Sequence, residues 1–101
     1  MKLEIIENSA EKTVISLNGE LDSNAAPQFA TDMEPVMNEA GKEILLDFTD
    51  LEYISSAGMR TILLLNKTVN AKGGKVIIKG MSEDIRQIFH LTGFDALLEI
   101  L

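Results

Sequence analysis

The sequence predicts one α/β domain over residues 1–101, with a mixed β-sheet of four to five strands and helices packed against it. The chain has 101 residues, near the commonest domain size, and an ordinary globular composition of 46% hydrophobic and 25% charged residues. Short segments rich in Ile, Val and Leu alternate with longer segments whose apolar residues recur at helical spacing. The connection between the first two short segments is too short for a crossover, which predicts an antiparallel pair followed by parallel strands.

The predicted hairpin consists of strands at residues 3–7 and 13–18, and residues 19–24 follow it with three possible helix caps. Pro27 is compatible with the first turn of the helix that comes next, and Gly41 ends it. Pro35 lies inside this helix and lacks the N–H that would bond to the carbonyl of Thr31, at a cost of about 3 kcal/mol, which predicts a kink or two shorter helical pieces. The predicted core positions of this helix are Ala25, Phe29, Met33, Val36 or Met37, and Ala40.

Residues 44–48 are almost continuously apolar, which predicts a central strand covered on both faces. The next helix is predicted over residues 56–71 and ends at the glycines that follow Lys72. Its periodicity predicts two opposite sides. The core side has Gly58, Ile62, Leu65 and Val69, and the outer side has Ser56, Arg60, Leu64 and Lys67.

The last third of the chain predicts a buried strand at residues 76–78 and a third helix capped by Ser82. Acidic residues in the first turn of this helix suit its dipole, and Thr92 and Gly93 end it. Residues 96–101 fit either a short edge strand or a last helical turn. The residues of the third helix predicted to face the core are Ile85, Ile88 and Phe89.

Charge and composition exclude several functions. Nine basic against sixteen acidic residues give a net charge of 9 − 16 = −7, so direct nucleic-acid binding is not expected. The chain has no Cys and one His, which excludes disulfides and thiol catalysis and argues against a zinc site. We expect no cofactor. No apolar run is long enough to insert into a membrane, and acidic residues near the start are untypical of a secretion signal, so a cytoplasmic protein is expected.

Two adjacent serines, Ser55 and Ser56, lie where the second helix begins. A serine at this place normally caps the helix by accepting a hydrogen bond from an unpaired backbone N–H. Ser55 could provide the cap and leave Ser56 free, and Gly58 would let another part of the chain approach closely. The positive end of the helix dipole would tolerate a phosphate on Ser56.

The stretch over residues 47–59 resembles the signature of the STAS family, the bacterial anti-sigma-factor antagonists and their relatives. The resemblance continues in the turn at 19–22, the glycine turn at 72–74 and the ending at 88–94, so it spans nearly the whole chain. It implies a STAS-like domain that is regulatory and not an enzyme. In that family a serine before a small residue and a glycine is phosphorylated, and here that residue is Ser56.

The resemblance implies a phosphoprotein that acts in transcription regulation by partner switching. It would bind a serine kinase that is also an anti-sigma factor while Ser56 is bare, and a protein phosphatase would reverse the phosphorylation. Many antagonists have an acid where this chain has Ser55, which makes Ser55 a secondary candidate for phosphorylation. The predicted partner-binding residues are Asp22, Ser23, Ser55, Ser56, Gly58, Met59, Arg60 and Leu64.

Two other functions remain open from the sequence. A stand-alone STAS subunit of a membrane transport assembly, or of another signalling assembly, would have the same fold. A small serine hydrolase with Ser56 as nucleophile and His90 as base is the enzymatic alternative, although residues 54–58 lack the first glycine of the Gly-x-Ser-x-Gly elbow.

Overall fold

The structure, a computed structural model, describes residues 1–39 and 41–101 of the chain. Within these residues the elements follow the predicted order, with one added strand and a short 3₁₀ turn at Phe94–Ala96. The strands and helices are β1 (Lys2–Asn8), β2 (Lys12–Leu21), α1 (Ala26–Met37), β3 (Glu43–Asp47), β4 (Leu51–Ile54), α2 (Ser56–Ala71), β5 (Lys75–Lys79), α3 (Glu83–Leu91) and β6 (Glu99–Ile100).

The sheet has the strand order β1-β2-β3-β5-β6. β4 is outside this series and pairs only with β2 among the described strands. β1 and β2 are antiparallel, and the other pairs are parallel, as predicted. The added strand is β4, whose residues were expected to form a loop. β2 is long enough to pair with β3 along its first half and with β4 along Gly19 to Leu21. The mixed α/β architecture is therefore confirmed, with one strand more than predicted.

The core lies on one face of the sheet. Ile44 and Leu46 of β3 are fully buried there, but Leu45 on the other face is only half-buried. β3 is therefore central, as predicted, but the expectation that it is covered on both faces is wrong. All three helices contribute buried side chains to the same cluster, and these are Phe29, Met33, Val36, Met37, Met59, Ile62, Leu65, Val69, Ile85 and Phe89.

Helix α1 is continuous through Pro35, so the predicted division into two helical pieces does not occur. Pro35 is exposed in the last turn, and Asn38 N still donates to Glu34 O at 3.2 Å. The helix therefore loses little beyond the one hydrogen bond that Pro35 cannot donate. The N-cap is Ala25, none of the three expected caps; Asp22 instead accepts a hydrogen bond from Ala25 N through Oδ1 at 2.8 Å. Ala40, which was also predicted as a core position, lies outside the described residues.

The second half of the chain agrees with the prediction at its helix ends. α2 occupies the predicted residues, and Ser82 caps α3 by accepting a hydrogen bond from Ile85 N at 3.2 Å. Gly93, at φ +78°, follows the end of α3 in a left-handed conformation that favours glycine. Of the two alternatives for the tail, the edge strand is right, because β6 pairs in parallel with β5.

The loop from β3 to β4 is held by Asp47. Its Oδ1 accepts hydrogen bonds from Thr49 N at 3.0 Å and from Thr49 Oγ1 at 2.6 Å. Partial burial by itself raises the pKa of Asp47, but the hydrogen bonds from Thr49 and the charge of Lys79 outweigh it and hold this pKa below its ordinary value. The loop is thus fixed at the carboxyl edge of the sheet, next to β4.

Candidate functional site

The ends of β2 and β4 bring the two candidate segments together. Leu21 pairs with Ile54 in the parallel register, and Ser55 N donates to Leu21 O at 2.8 Å. Asp22, directly after β2, and Ser56, two residues after β4, therefore lie at the same edge of the sheet. Ligand and partner sites of α/β sheets commonly lie at this carboxyl edge. The sequence analysis expected Ser56 to lie near the Asp22 turn. In the structure this depends on the pairing of β4 with β2, and β4 was not predicted.

The two serines have different environments. Ser55 is 6% exposed, has extended backbone angles, and accepts a hydrogen bond from Gly58 N through Oγ at 3.1 Å, which makes it the N-cap of α2. Ser56 is the first helical residue and is exposed. The division of roles expected from the sequence is present. Because the Ser55 hydroxyl is buried and used by the cap, its environment argues against it as the secondary acceptor of a phosphate.

Gly58 and Met59, both expected to bind a partner, instead face the interior. A Cβ at Gly58 would lie 2.7 Å from Leu21 Cγ and 3.1 Å from Leu21 O, so the absence of a side chain lets α2 begin tightly against the end of β2. Met59 is 4% exposed and belongs to the core. These two residues hold the site in place but lie too deep to touch a partner directly.

A shallow groove of about 320 Å³ runs between α1 and α2 beside Ser56. Arg60 and Leu64 of α2 are exposed along it, as predicted, and Leu64 is 54% exposed. Sequence reasoning found only part of this groove. The sequence feature that could have indicated its other side is the pair of small residues Ala26 and Ala30. They lie four residues apart on one side of α1, where a second helix could approach closely. The lining residues are Ser23, Ala26, Pro27, Ala30, Ala57, Arg60, Thr61 and Leu64.

The predicted site includes two charged residues, Asp22 and Arg60. Asp22 is half-buried, and one of its oxygens accepts the hydrogen bond from Ala25 N. Arg60 forms no ion pair with any residue in the described part of the chain. Since Arg60 lies one helical turn after Ser56, its guanidinium is available to a partner or to a phosphate on Ser56.

His90, the base of the hydrolase alternative, is engaged elsewhere. Its Nδ1 lies 2.9 Å from Asp95 Oδ2, and its side chain lines a cleft between α3 and β6 to which Ser56 does not contribute. The structure therefore does not unite Ser56 and His90 in one site, as a nucleophile and its base require.

Substitution of each serine by alanine separates their roles. We expect Ser55→Ala to lower the free energy of unfolding by about 0.5–2 kcal/mol, because α2 loses its cap. Ser56→Ala, at an exposed position without a capping bond, should change it by less than about 0.5 kcal/mol. Urea unfolding followed by circular dichroism measures both. Equal effects of the two substitutions would contradict the assignment of the cap to Ser55.

Comparison with known proteins places the geometry in context. The sequence model of the STAS domain family matches residues 2–100. An anti-sigma-B factor antagonist of Listeria monocytogenes is 24% identical over 100 residues, which cover 99% of this chain and 88% of that protein. In the described residues, no helix combines the length and the apolar character that crossing a membrane requires.

Solved structures of the anti-sigma factor antagonist SpoIIAA share this fold. The unphosphorylated form has a TM-score of 0.76 at 22% identity and is covered over 87% of its chain by 99% of this one. The phosphorylated form, described as a Bacillus cell fate determinant, has a TM-score of 0.75 at 23% identity, with coverage of 91% of its chain and 99% of this one.

Proposed function

Since this chain belongs to the STAS domain family, we propose that it is an anti-sigma-factor antagonist that switches partners through phosphorylation of Ser56. With Ser56 bare it binds a serine kinase that is also an anti-sigma factor, and on phosphorylation it is released. A protein phosphatase restores the binding form. In this role the chain is a cytoplasmic regulator without catalytic activity of its own.

The observation that carries the proposal is the contrast between the two serines. Ser55 caps α2 by accepting the hydrogen bond from Gly58 N. The cap therefore does not use Ser56, which is exposed. A phosphate there would add about −1.5 to −2 charge, next to the positive end of the α2 dipole and one turn before Arg60. Both features stabilise an anion, so the modification leaves the fold intact.

The partner is proposed to bind what we call the switch surface, which consists of Asp22, Ser23, Ser56, Arg60 and Leu64. Ser23, Arg60 and Leu64 line the α1–α2 groove, and Leu64 supplies an exposed apolar group. Asp22 and Ser56 each precede a lining residue in the chain. A small neutral serine beside an apolar side chain and the guanidinium of Arg60 suits a desolvated contact with another protein.

Phosphorylation would weaken this contact without a large rearrangement. The phosphate must lose water to enter an interface, and the Asp22 carboxylate would repel it there. It would also draw the Arg60 guanidinium away from the partner. A loss of about 3 kcal/mol is enough, because it lowers the affinity more than a hundredfold.

The named sequence relatives favour this function over the transport alternative, whereas the fold does not separate the two, because a sulfate transporter family protein from Wolinella succinogenes shares it as well. The Listeria relative is named an anti-sigma-B factor antagonist and matches almost the whole chain, and SpoIIAA, of similar fold, has been solved in a phosphorylated form. Co-purification with an ATPase or permease, in the absence of any serine kinase, would favour a subunit of a transport assembly instead.

Leu64→Ser tests the switch surface. We expect it to weaken binding to the proposed serine kinase partner about tenfold, equivalent to about 1.4 kcal/mol, with little change in stability. Leu91→Ser is the matched control, because Leu91 is 77% exposed but lies on α3. Isothermal titration calorimetry with ADP present, so that Ser56 stays unphosphorylated, measures both. Equal losses in the two variants, or none in Leu64→Ser, would place the partner elsewhere.

A further inference from the structure

A cleft of about 660 Å³ lies between α3 and the edge strand β6, on elements that contribute nothing to the switch surface. This volume is in the range of binding pockets for small ligands and side chains. The α3 side presents polar groups, and the β6 side presents apolar ones. The lining residues on α3 are Glu83, Arg86, Gln87 and His90, and those of the tail are Asp95, Leu98 and Ile100.

The floor of the cleft is apolar and formed by Leu98 and by Ile100 of β6. Leu98 is 8% exposed and belongs to the core, and Ile100 is half-buried and packs against it. Leu98 lies just before β6, and both side chains line the cleft beside α3. An apolar side chain that enters the cleft would contact these two residues.

The backbone of β6 forms the open edge of the sheet beside this floor. Leu101 N donates to Ile78 O at 2.8 Å, which directs the backbone groups of Leu101 toward β5. Because successive residues of a strand direct their backbone groups to opposite sides, the N–H and C=O of Ile100 point outward, away from the sheet. Only another extended chain pairs with such groups in a regular ladder, so the edge selects a strand over a helix.

A second copy of this chain fits the edge poorly. Antiparallel pairing of two β6 strands about their Glu99 residues would place Glu99 directly opposite Glu99 of the other copy. Like charges in that relation destabilise a strand pair. The occupant is therefore a different chain.

Two carboxylates also line the cleft, those of Glu83 and Asp95, and Asp95 lies 2.9 Å from His90 Nδ1. Arg86 therefore indicates one local position for an acidic side chain of that chain, not the charge of the whole segment. Its Nη2 donates to Leu101 O at 3.1 Å, and over residues 1–39 and 41–101 it makes no ion pair. A guanidinium has five N–H donors, so several remain for a carboxylate at the carboxyl end of β6.

We propose that the α3–β6 cleft binds an extended segment of a partner protein, which adds to the sheet as a strand beside β6. The segment places an apolar side chain on Leu98 and Ile100 and an acidic side chain against Arg86. This site goes beyond the proposed switch. It would let the domain hold one protein through β6 while another binds or leaves at Ser56.

Random nine-residue linear peptides displayed on phage are the probe. We expect selection on the whole chain to enrich peptides that alternate apolar and polar residues and contain an acid. In ¹⁵N-labelled protein these peptides should shift the amide signals of Leu98 and Ile100 and leave those of Ser56 and Arg60 in place. Enrichment of no peptide, or shifts confined to the α1–α2 groove, would overturn the proposal.

Two variants sharpen this test. Ile100→Pro removes an N–H that points outward and should weaken the selected peptides at least tenfold, since proline is tolerated on an edge strand. If that variant does not fold, the wild-type chain is tested with peptides N-methylated at alternate residues, and one of the two methylation patterns should lose binding. Arg86→Glu should weaken the acidic peptides about tenfold. Unchanged affinity in these tests would refute strand addition, and self-association that competes with the peptides would identify a second copy as the occupant.

The peptide test is independent of the proposed function. Ser56→Asp should bind the selected peptides with wild-type affinity, because Ser56 does not line the α3–β6 cleft. Loss of peptide binding in Ser56→Asp would show that the two surfaces are not separate and would contradict a second site. Failure of the kinase to bind would reject the switch alone.

Discussion

Ser56→Asp is expected to bind the serine kinase at least a hundredfold more weakly than the wild-type chain, a loss of about 3 kcal/mol, while it folds normally. The aspartate places a negative charge at the phosphate position, where the start of α2 stabilises it within the fold but the interface does not. Calorimetric titration of the kinase gives the affinity, and circular dichroism gives the stability.

Ser56→Ala is the matched control for this charge. It keeps a small neutral side chain, so it should bind the kinase like the unphosphorylated chain and should stay bound when ATP is added. Wild-type affinity in Ser56→Asp would remove the proposed mechanism. Weak binding in Ser56→Ala would mean that the hydroxyl itself, and not the absence of charge, is what the partner recognises.

Phe89→Ala is expected to have the largest effect on stability, a loss of about 3–5 kcal/mol in the free energy of unfolding. Phe89 is fully buried, and its ring meets Phe48 and Phe94 edge-on, with centroids 6.5 Å apart in each pair. Its removal leaves a cavity where α3, β3 and the tail meet. Since a domain has about 5–15 kcal/mol of stability in total, much of it would be lost.

Urea unfolding measures this loss, and Leu91→Ala controls for a shortened side chain on the same helix. Leu91 is highly exposed, so its substitution should change the stability by less than about 0.5 kcal/mol. A loss below about 1 kcal/mol in Phe89→Ala would contradict the central position of this ring in the core.

The order and type of the long elements could be predicted because their periodicity is strong. α2 runs over the predicted residues, since apolar residues recur along its core side and a cap and a glycine turn mark its two ends. β4 could not be predicted. It has four residues, its buried positions do not alternate, and it is defined by pairing with the end of β2, a contact distant in sequence. Pro35 was over-weighted, because an exposed proline in a last turn removes only one bond.

The parts of the site that depend on neighbours in sequence were predicted best. The capping role of Ser55 and the outward position of Ser56 follow from the rules for helix starts and from helical spacing. Met59 was misassigned because nearness in sequence to Ser56 does not mean nearness on the surface; at the start of a helix it turns into the core. The α1 side of the groove depends on how two helices pack, which a single sequence does not specify.

The most direct test of the switch is to map the phosphate after the chain is incubated with ATP and the proposed serine kinase partner. Mass spectrometry of proteolytic peptides locates the modified residue. The account predicts one phosphate per chain, on Ser56, and none on Ser56→Ala. A phosphate on Ser55, or full incorporation into Ser56→Ala, would contradict it.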